Sequence, residues 1–154
     1  MKKLNQTPQL SEAQEKIVQA RHHDPFNVLG LHGKPSQSRL CVYAPETESL
    51  TILPDNIELD RIPESDFFEW QGDATDFPKY FQLKKMNHAG DAFKFYDPYC
   101  FPPQLSEFDL HLFAEGKHWH IYRILGAHLH SVDGITGVLF STWAPSAERV
   151  SVIG

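Results

Sequence analysis

The sequence predicts a mainly β protein: one β-sandwich module, short helices at the N-terminus and in a connector, and the first strands of a second sandwich. Three observations predict it. From residue 38 to 96, short segments rich in β-branched and aromatic residues alternate with turn punctuation at Ala44-Pro45, Pro54-Asp55, Gly72-Asp73 and Gly90-Asp91. Helical signals appear only before and after that region. Part of the β pattern then returns: LCVYAPETESLTIL (40–53) aligns with FSTWAPSAERVSVI (140–153) at a spacing of 100 residues.

The elements follow in order. Residues 9–21 (QLSEAQEKIVQAR) predict a short amphipathic helix. Ser11 and Gln14 have capping-box spacing, and Leu10, Ala13, Ile17 and Ala20 form one apolar stripe. In HHDPFNVLGLH (22–32), Asp24 is an N-cap, Pro25 a first helical residue and Gly30 a stop, so a tight helical turn is expected. The expected strands are 39–43, 49–53, 56–62, 66–70, 79–85 and 92–96. Asp97-Pro98 repeats the cap-then-proline device. Ser106 and Asp109 open a helix that stops near Gly116, and HWHIYRIL (118–125) predicts a third, ending at Gly126. Strands are expected again at 137–143 and 149–153.

The repeat is more than one shared dipeptide. Ala44-Pro45 falls on Ala144-Pro145, Glu48 on Glu148, Leu50 on Val150 and Ile52 on Val152. Leu29-Gly30 matches Leu125-Gly126, four residues out of step. Turn, charge and apolar alternation agree together, which points to tandem modules. Two strands cannot bury both inner faces of a sandwich. Residues 134–154 are therefore expected to be poorly ordered or paired with another strand edge, such as one in a second chain.

Composition narrows the function. The 154 residues are 41% hydrophobic, 22% charged and 12% aromatic, enough for a packed core. A net charge of −6 offers no footprint for nucleic acid or an anionic membrane. MKKLNQTPQL lacks the apolar run of a signal peptide, and no stretch reaches the roughly 18 apolar residues of a membrane helix. Cys41 and Cys100 show neither disulfide-framework nor metal-knuckle spacing, and read as reduced thiols of a cytoplasmic protein.

No catalytic constellation emerges. Asp24 and Asp97 are explained as caps, while Asp66, Glu69 and Asp73 flank strands and turns, where solvated carboxylates are expected. His22-His23, His118-x-His120 and His128-x-His130 resemble metal pairs. Residues at i and i+2 share a face only on a strand. His118 and His120 fall on a predicted helix and diverge; His128 and His130 can converge but have no third ligand. No metal, cofactor or catalytic residue is expected.

The segments HHDPFNVLGLH, FYDPYCF and LHLFAEGKHWHIYRILGAHL, followed by GVLFSTWAPSAERVSVIG, resemble the N-terminal region of bacterial-type glycogen (1,4-α-glucan) branching enzymes, in the correct order from about residue 22 to 154. The Trp-Ala-Pro strand at 143–145 is shared more widely by starch-binding-type immunoglobulin-like modules of the α-amylase superfamily. The resemblance implies a parent enzyme that cleaves an α-1,4 bond and transfers the chain to a 6-hydroxyl with retention. Such chemistry needs two carboxyl groups about 5–5.5 Å apart, carried by a catalytic barrel beyond Gly154. It also implies boundaries: N-terminal helix 1–21, immunoglobulin-like first sandwich 22–108, helical connector 109–125, and an interrupted second sandwich 126–154. The partners implied are α-glucan (glycogen or maltooligosaccharide) and the parent's barrel. The alternative is a stand-alone non-catalytic glucan-binding or structural spacer module. Sugar binding needs aromatic faces with flanking polar groups. The expected platforms are Trp70, Tyr80 and Tyr43, with Lys79 and Gln82 supplying hydrogen bonds. Trp119 is expected to be a packing anchor, and Trp143 to pack inside the second sandwich.

Overall fold

The computed structural model describes residues 10–152. The reading of residues 1–9 as free of a leader, and the ends of the predicted helix at Gln9 and of the last strand at Ile153, lie outside these residues. The chain divides into two compact units, Met1–Cys100 and Phe101–Gly154.

The first unit opens with helix α1 (Glu12–Val18). The Ser11 backbone N–H donates to Gln14 Oε1 at 2.9 Å, and the Gln14 N–H donates to Ser11 Oγ at 3.2 Å. This is the predicted reciprocal cap. Ala20, placed on the apolar stripe by its spacing, instead lies past the helix end at φ +54° and is exposed. Gln14 takes the buried place.

Two four-stranded antiparallel sheets follow. Sheet A has the order β1 (Gly30–Lys34), β2 (Gln37–Tyr43), β6 (Phe67–Gly72), β5 (Asp60–Arg61). Sheet B has the order β4 (Ile57–Glu58), β3 (Ser49–Leu53), β7 (Gln82–Met86), β8 (Ala92–Tyr96). Between them lies a core of Leu40, Val42, Ala44, Leu50, Ile52, Leu59, Phe68, Phe81 and Leu83. Alternation explains the choice: Leu40 and Val42 point inward from β2, while Cys41 and Tyr43 join a second cluster with Leu29 and Phe67 on the outer face of sheet A. Leu10 and Ile17, flanking and within α1, pack on that cluster.

Three expectations fail here for physical reasons. The segment 56–62 is not one strand. It pairs with β3 through Ile57 and Glu58, then with β6 through Asp60 and Arg61, and changes sheet at the buried Leu59. A strand that turns the corner of a sandwich must surrender its continuity. The strand beginning at Gly30 was read only as a helical stop. Gly30 has φ +93°, and a Cβ there would lie 2.8 Å from Tyr99 Cβ. Glycine thus serves as turn terminus and as first strand residue together. The strand expected at 79–85 starts late, at Gln82, because both of its partners end opposite that residue, β3 at Leu53 and β8 at Tyr96.

The turn Pro98–Cys100 follows β8. Asp97 does cap it, accepting from the Tyr99 N–H at 3.1 Å, yet its residue is only 1% exposed and Oδ2 has no partner. Burial therefore pushes its carboxyl up to about 6, against the pull of the Tyr99 N–H and of His32.

The second unit contains α2 (Glu107–Ala114), with Ser106 as N-cap accepting from the Asp109 N–H. A 3-10 turn (Ile121–Arg123) stands where a helix over 118–125 was expected. The segment makes only one short turn before Gly126, at φ +107°, starts a strand. A hairpin of β9 (Gly126–Val132) and β10 (Ile135–Ser141) follows. So 135–141 is paired, and with its own neighbour. Residues 149–152 form no strand, contrary to expectation; Val150 and Val152 are more than half exposed, and a strand without a ladder partner has nothing to hold it.

The hairpins β1–β2 and β9–β10 are copies. Gly30 pairs with Cys41 and Gly126 with Ser141. Each turn is entered through a 3-10 turn and a leucine, and in each the second residue after the glycine is a histidine whose Nε2 lies at the leucine carbonyl: His32 to Leu29 at 3.0 Å, His128 to Leu125 at 2.9 Å. The four-residue slip in the sequence repeat is accounted for, because each arm of the second hairpin is two residues longer.

Two outcomes are expected. The Asp97 shift is upward, so this group's contribution to stability is full below pH 4 and is lost as pH rises through 6. It amounts to about 3 kcal/mol. Urea unfolding of Asp97→Asn should gain on the wild type by about that amount between pH 4 and 7; parallel pH curves would contradict this. Amide exchange in the isolated chain should be faster in β10 than in β2, which is paired on both edges.

Candidate glucan-contacting cleft

Beside β5 and β6, Gln14, Asp60, Arg61, Ile62, Pro63, Glu69, Trp70 and Gln71 line a cleft of about 590 Å³. Residues from α1, from the sheet-changing segment and from β6 meet here. Glu69 organises one side. Its Oε1 accepts from Arg39 Nη2 in a close ion pair and from Gln14 Nε2 at 3.3 Å. Its side chain is 22% exposed, so it is not the free solvated carboxylate that its strand position suggested. Arg61 places its guanidinium 5.1 Å from the centre of the Phe68 ring, donates to the carbonyl of the buried Thr47 at 2.7 Å, and lies 3.3 Å from Asp66. The sheet change at Leu59 thus delivers Asp60 and Arg61 to this edge.

The sequence-predicted platforms do not come together. Trp70 is half-buried, packs against the inter-sheet core and stacks on Phe77, with ring centroids 5.0 Å apart. It still lines the cleft. A Cβ at Gly72 would lie 2.5 Å from Trp70 Cζ2, so glycine there lets the indole lie along its own strand. Tyr43 lies on the opposite face of sheet A, against Phe67 in the cluster that α1 covers. Burial there raises its phenol, with Asp66 adding to the effect. Gln82 alternates with the core residue Leu83 and so faces the outer side of sheet B. Tyr80 precedes it, with Lys79 Nζ 4.7 Å from its ring centre. Gln14, Asp60, Arg61 and Gln71 were missed. Gln14 had a usable signal, as a polar residue on the covered side of a short helix.

The remaining chemistry is structural. Asp24 accepts from the Asn27 side chain at 2.7 Å, with no side-chain bond to the turn's backbone. Asp73 takes the Thr75 N–H and hydroxyl. His118 Nε2 lies 2.8 Å from Asp109 Oδ1, and His130 Nε2 lies 2.9 Å from Gln104 Oε1. Contrary to expectation, His118 and His120 precede a 3-10 turn and sit on no helix. Among the described residues, no three His, Cys, Asp or Glu side chains are grouped to hold a metal ion. Cys41 and Cys100 are free thiols, each pushed up to about 11 by burial. Trp119 is 88% exposed, which removes it as an anchor within its own unit, while Trp143 meets Phe113 of α2 edge-on at 5.0 Å and remains largely exposed.

Two packed antiparallel sheets and a polar cleft with a tryptophan wall define a β-sandwich module. Residues 11–99 match the family model for the N-terminal domain of alpha-1,4-glucan branching enzyme GlgB, and the chain belongs to that family. It is similar to the 1,4-alpha-glucan branching enzyme GlgB of Methylococcus capsulatus, at 47% identity over 146 residues, covering 95% of this chain and 20% of that protein. The enzyme of the same name from Nitrosococcus oceani is 50% identical over 149 residues, with 95% and 20% covered. That from Cellvibrio japonicus is 46% identical over 164 residues, with 100% and 22% covered. The chain thus spans about a fifth of the length of the curated relatives it matches.

Trp70 serves core and cleft together. Trp70→Ala should lower unfolding stability by about 3 kcal/mol, measured by urea denaturation, whereas Gln71→Ala, exposed on the same strand, should change it by less than about 0.5 kcal/mol.

Proposed function

We propose that this chain serves as the accessory N-terminal module of a 1,4-α-glucan branching enzyme acting on glycogen in the bacterial cytoplasm. It holds α-glucan and helps position the catalytic barrel of its parent protein, which transfers α-1,4 chains to 6-hydroxyls. The observation that carries the reading is the cleft beside Trp70. An indole edge adjoins carboxylate, guanidinium and amide side chains, the mixture that a polyhydroxylated ring recruits. Glu69 is held by Arg39 and Gln14 before any ligand arrives, so the wall is preorganised. The relatives' names, together with described carboxylates such as Glu69, Asp73 and Asp97 that serve ion pairs and turns, support an accessory role. We assign 1–21 to the N-terminal helix, 22–108 to the first sandwich, 109–125 to the connector and 126–154 to the start of a second sandwich. The repetition of β1–β2 in β9–β10 supports that last assignment. Of the five residues that the sequence offered as glucan contacts, Trp70 is retained at the cleft. Lys79, Tyr80 and Gln82 form a separate candidate strip before and on β7. Tyr43 is the weakest, lying under α1.

The test is titration of the isotopically labelled chain with maltoheptaose. Amides of Asp60, Arg61 and Gln71 and the Trp70 indole N–H should shift. Asp60→Ala or Gln71→Ala should each weaken binding about five- to tenfold, the worth of one hydrogen bond. Tyr43→Phe should leave it unchanged. If saturating maltoheptaose moves no resonance, the glucan reading fails and a spacer role replaces it, with family membership intact.

A further inference from the structure

A second pocket lies at the end of the first unit's sandwich where β2 finishes and β3 begins. Glu46, Lys85, Asn87, His88, Ala89 and Phe93 line a volume of about 580 Å³. These residues come from the loop after β2, the end of β7, the β7–β8 turn and the start of β8.

The inner faces of the two sheets meet water here. Leu83 and Phe95 pair across β7 and β8, and both belong to the core or pack against it. Two residues on, Lys85 and Phe93 pair on the same face, at its open end. Phe93 is 54% exposed, and among the described residues no aromatic ring packs against it. Set on the inward face of an edge strand at the mouth of the sandwich, the ring presents an open face to whatever enters the pocket.

The rim is polar and already ordered. Lys85 Nζ donates to the Pro45 carbonyl at 2.8 Å, which holds the ammonium over the mouth with further donor capacity. Asn87 Oδ1 accepts from the N–H groups of Ala89 and Asp91, and its Nδ2 donates to Asp91 Oδ2. The turn carrying His88 is thereby tied down from within. Glu46 supplies an exposed carboxylate, and His88 an exposed imidazole. Opposite charges balance across the rim, so neither an anion nor a cation is favoured. One ring face, an acceptor and two donors suit a neutral polyhydroxylated ring.

We propose that this mouth is a second α-glucan subsite, in which a glucose unit stacks on Phe93 with its hydroxyls bonded to Glu46, Lys85 and His88. This rests on the glucan reading of the module, but uses residues separate from the cleft beside Trp70. A glucan engaging both places would be held by two weak contacts acting together.

The experiment is the same maltoheptaose titration, read residue by residue in wild type, Phe93→Leu and Phe93→Tyr. Phe93 is exposed on an edge strand, so both variants should keep the wild-type spectrum elsewhere. In the wild type, amides of Glu46, Lys85, His88 and Phe93 should shift together. Phe93→Leu, which keeps the apolar bulk and loses the ring, should abolish those shifts and leave the cleft's shifts at Asp60 and Gln71 in place. Phe93→Tyr should restore them. Shifts at the cleft alone, or mouth shifts that persist in Phe93→Leu, would overturn the subsite and leave the module's glucan reading standing. A wild type that shows no shift anywhere would remove both.

Discussion

The structure depends on burying two apolar sheet faces against each other along a chain that changes sheets only once within a strand. Leu59 is the pivot. Its side chain joins the core, and its N–H donates to the Leu50 carbonyl at 2.9 Å while the residues on either side pair with different sheets. Without that bond, a buried donor would remain unpaired at the corner. With it, the segment can leave β3, cross the edge and reach β6. Two of the cleft's charged groups follow from this crossing. Asp60 and Arg61 stand beside Glu69 and Phe68 because the register Asp60–Glu69 and Arg61–Phe68 places them there.

The outer face of sheet A presents the opposite problem. Phe67, Cys41 and Tyr43 point away from the inter-sheet core, and a sheet with two apolar faces needs two covers. The second cover is α1 with its flanking Leu10 and the turn carrying Tyr99. The seven-residue helix is too short to stand on propensity, so tertiary packing and its reciprocal cap must hold it. Gln14 does both jobs: it completes the cap and reaches Glu69. The cover of one face is thereby coupled to the wall of the cleft. Sheet B differs. Gln82 and Lys84 alternate with Leu83 along β7, so the outer side of that central strand is largely polar. Lys94 on β8 puts a charge on that edge strand, which discourages pairing with another chain.

Much of this was legible in the sequence, and the failures have separate causes. Strands 49–53 and 92–96 were read at their full extent, as were the capping residues Ser11 and Ser106, because these depend on local alternation or on one side-chain-to-backbone bond. The split of 56–62 and the strand at Gly30 were not legible. The first is set by a distant partner, β6; the second is a hairpin with β2, hidden because one glycine serves both as the turn's end and as the first strand residue. The site suffered more. Aromatic residues at strand positions announce themselves, but the face they take depends on register, and one residue's difference separates Tyr43 from Val42. Only Trp70 kept both a place in the core and a surface on the cleft. The polar members of the cleft were ordinary solvent-side residues until the fold gathered them.

The repeated hairpin shows how far local sequence can reach unaided. In both copies a 3-10 turn leads through leucine into a glycine at positive φ, and a histidine ring closes on the leucine carbonyl. The α-helices before them end alike too, with Ala20 and Gly116 each in the left-handed region and donating to the carbonyls of Ile17 and Phe113. All of these bonds span five residues or fewer, so the same local signals produce the same turns whether or not a sandwich forms around them. Burial does not follow. Leu40 is fully buried, whereas Phe140 at the matching position is 55% exposed; Leu50 and Ile52 are buried, whereas Val150 and Val152 are not. What separates the copies is the long-range half of the fold: β2 has β6 on its second edge, and β10 has no strand there among the described residues. The turn chemistry specifies the hairpin, and only the facing sheet turns a hairpin into a core.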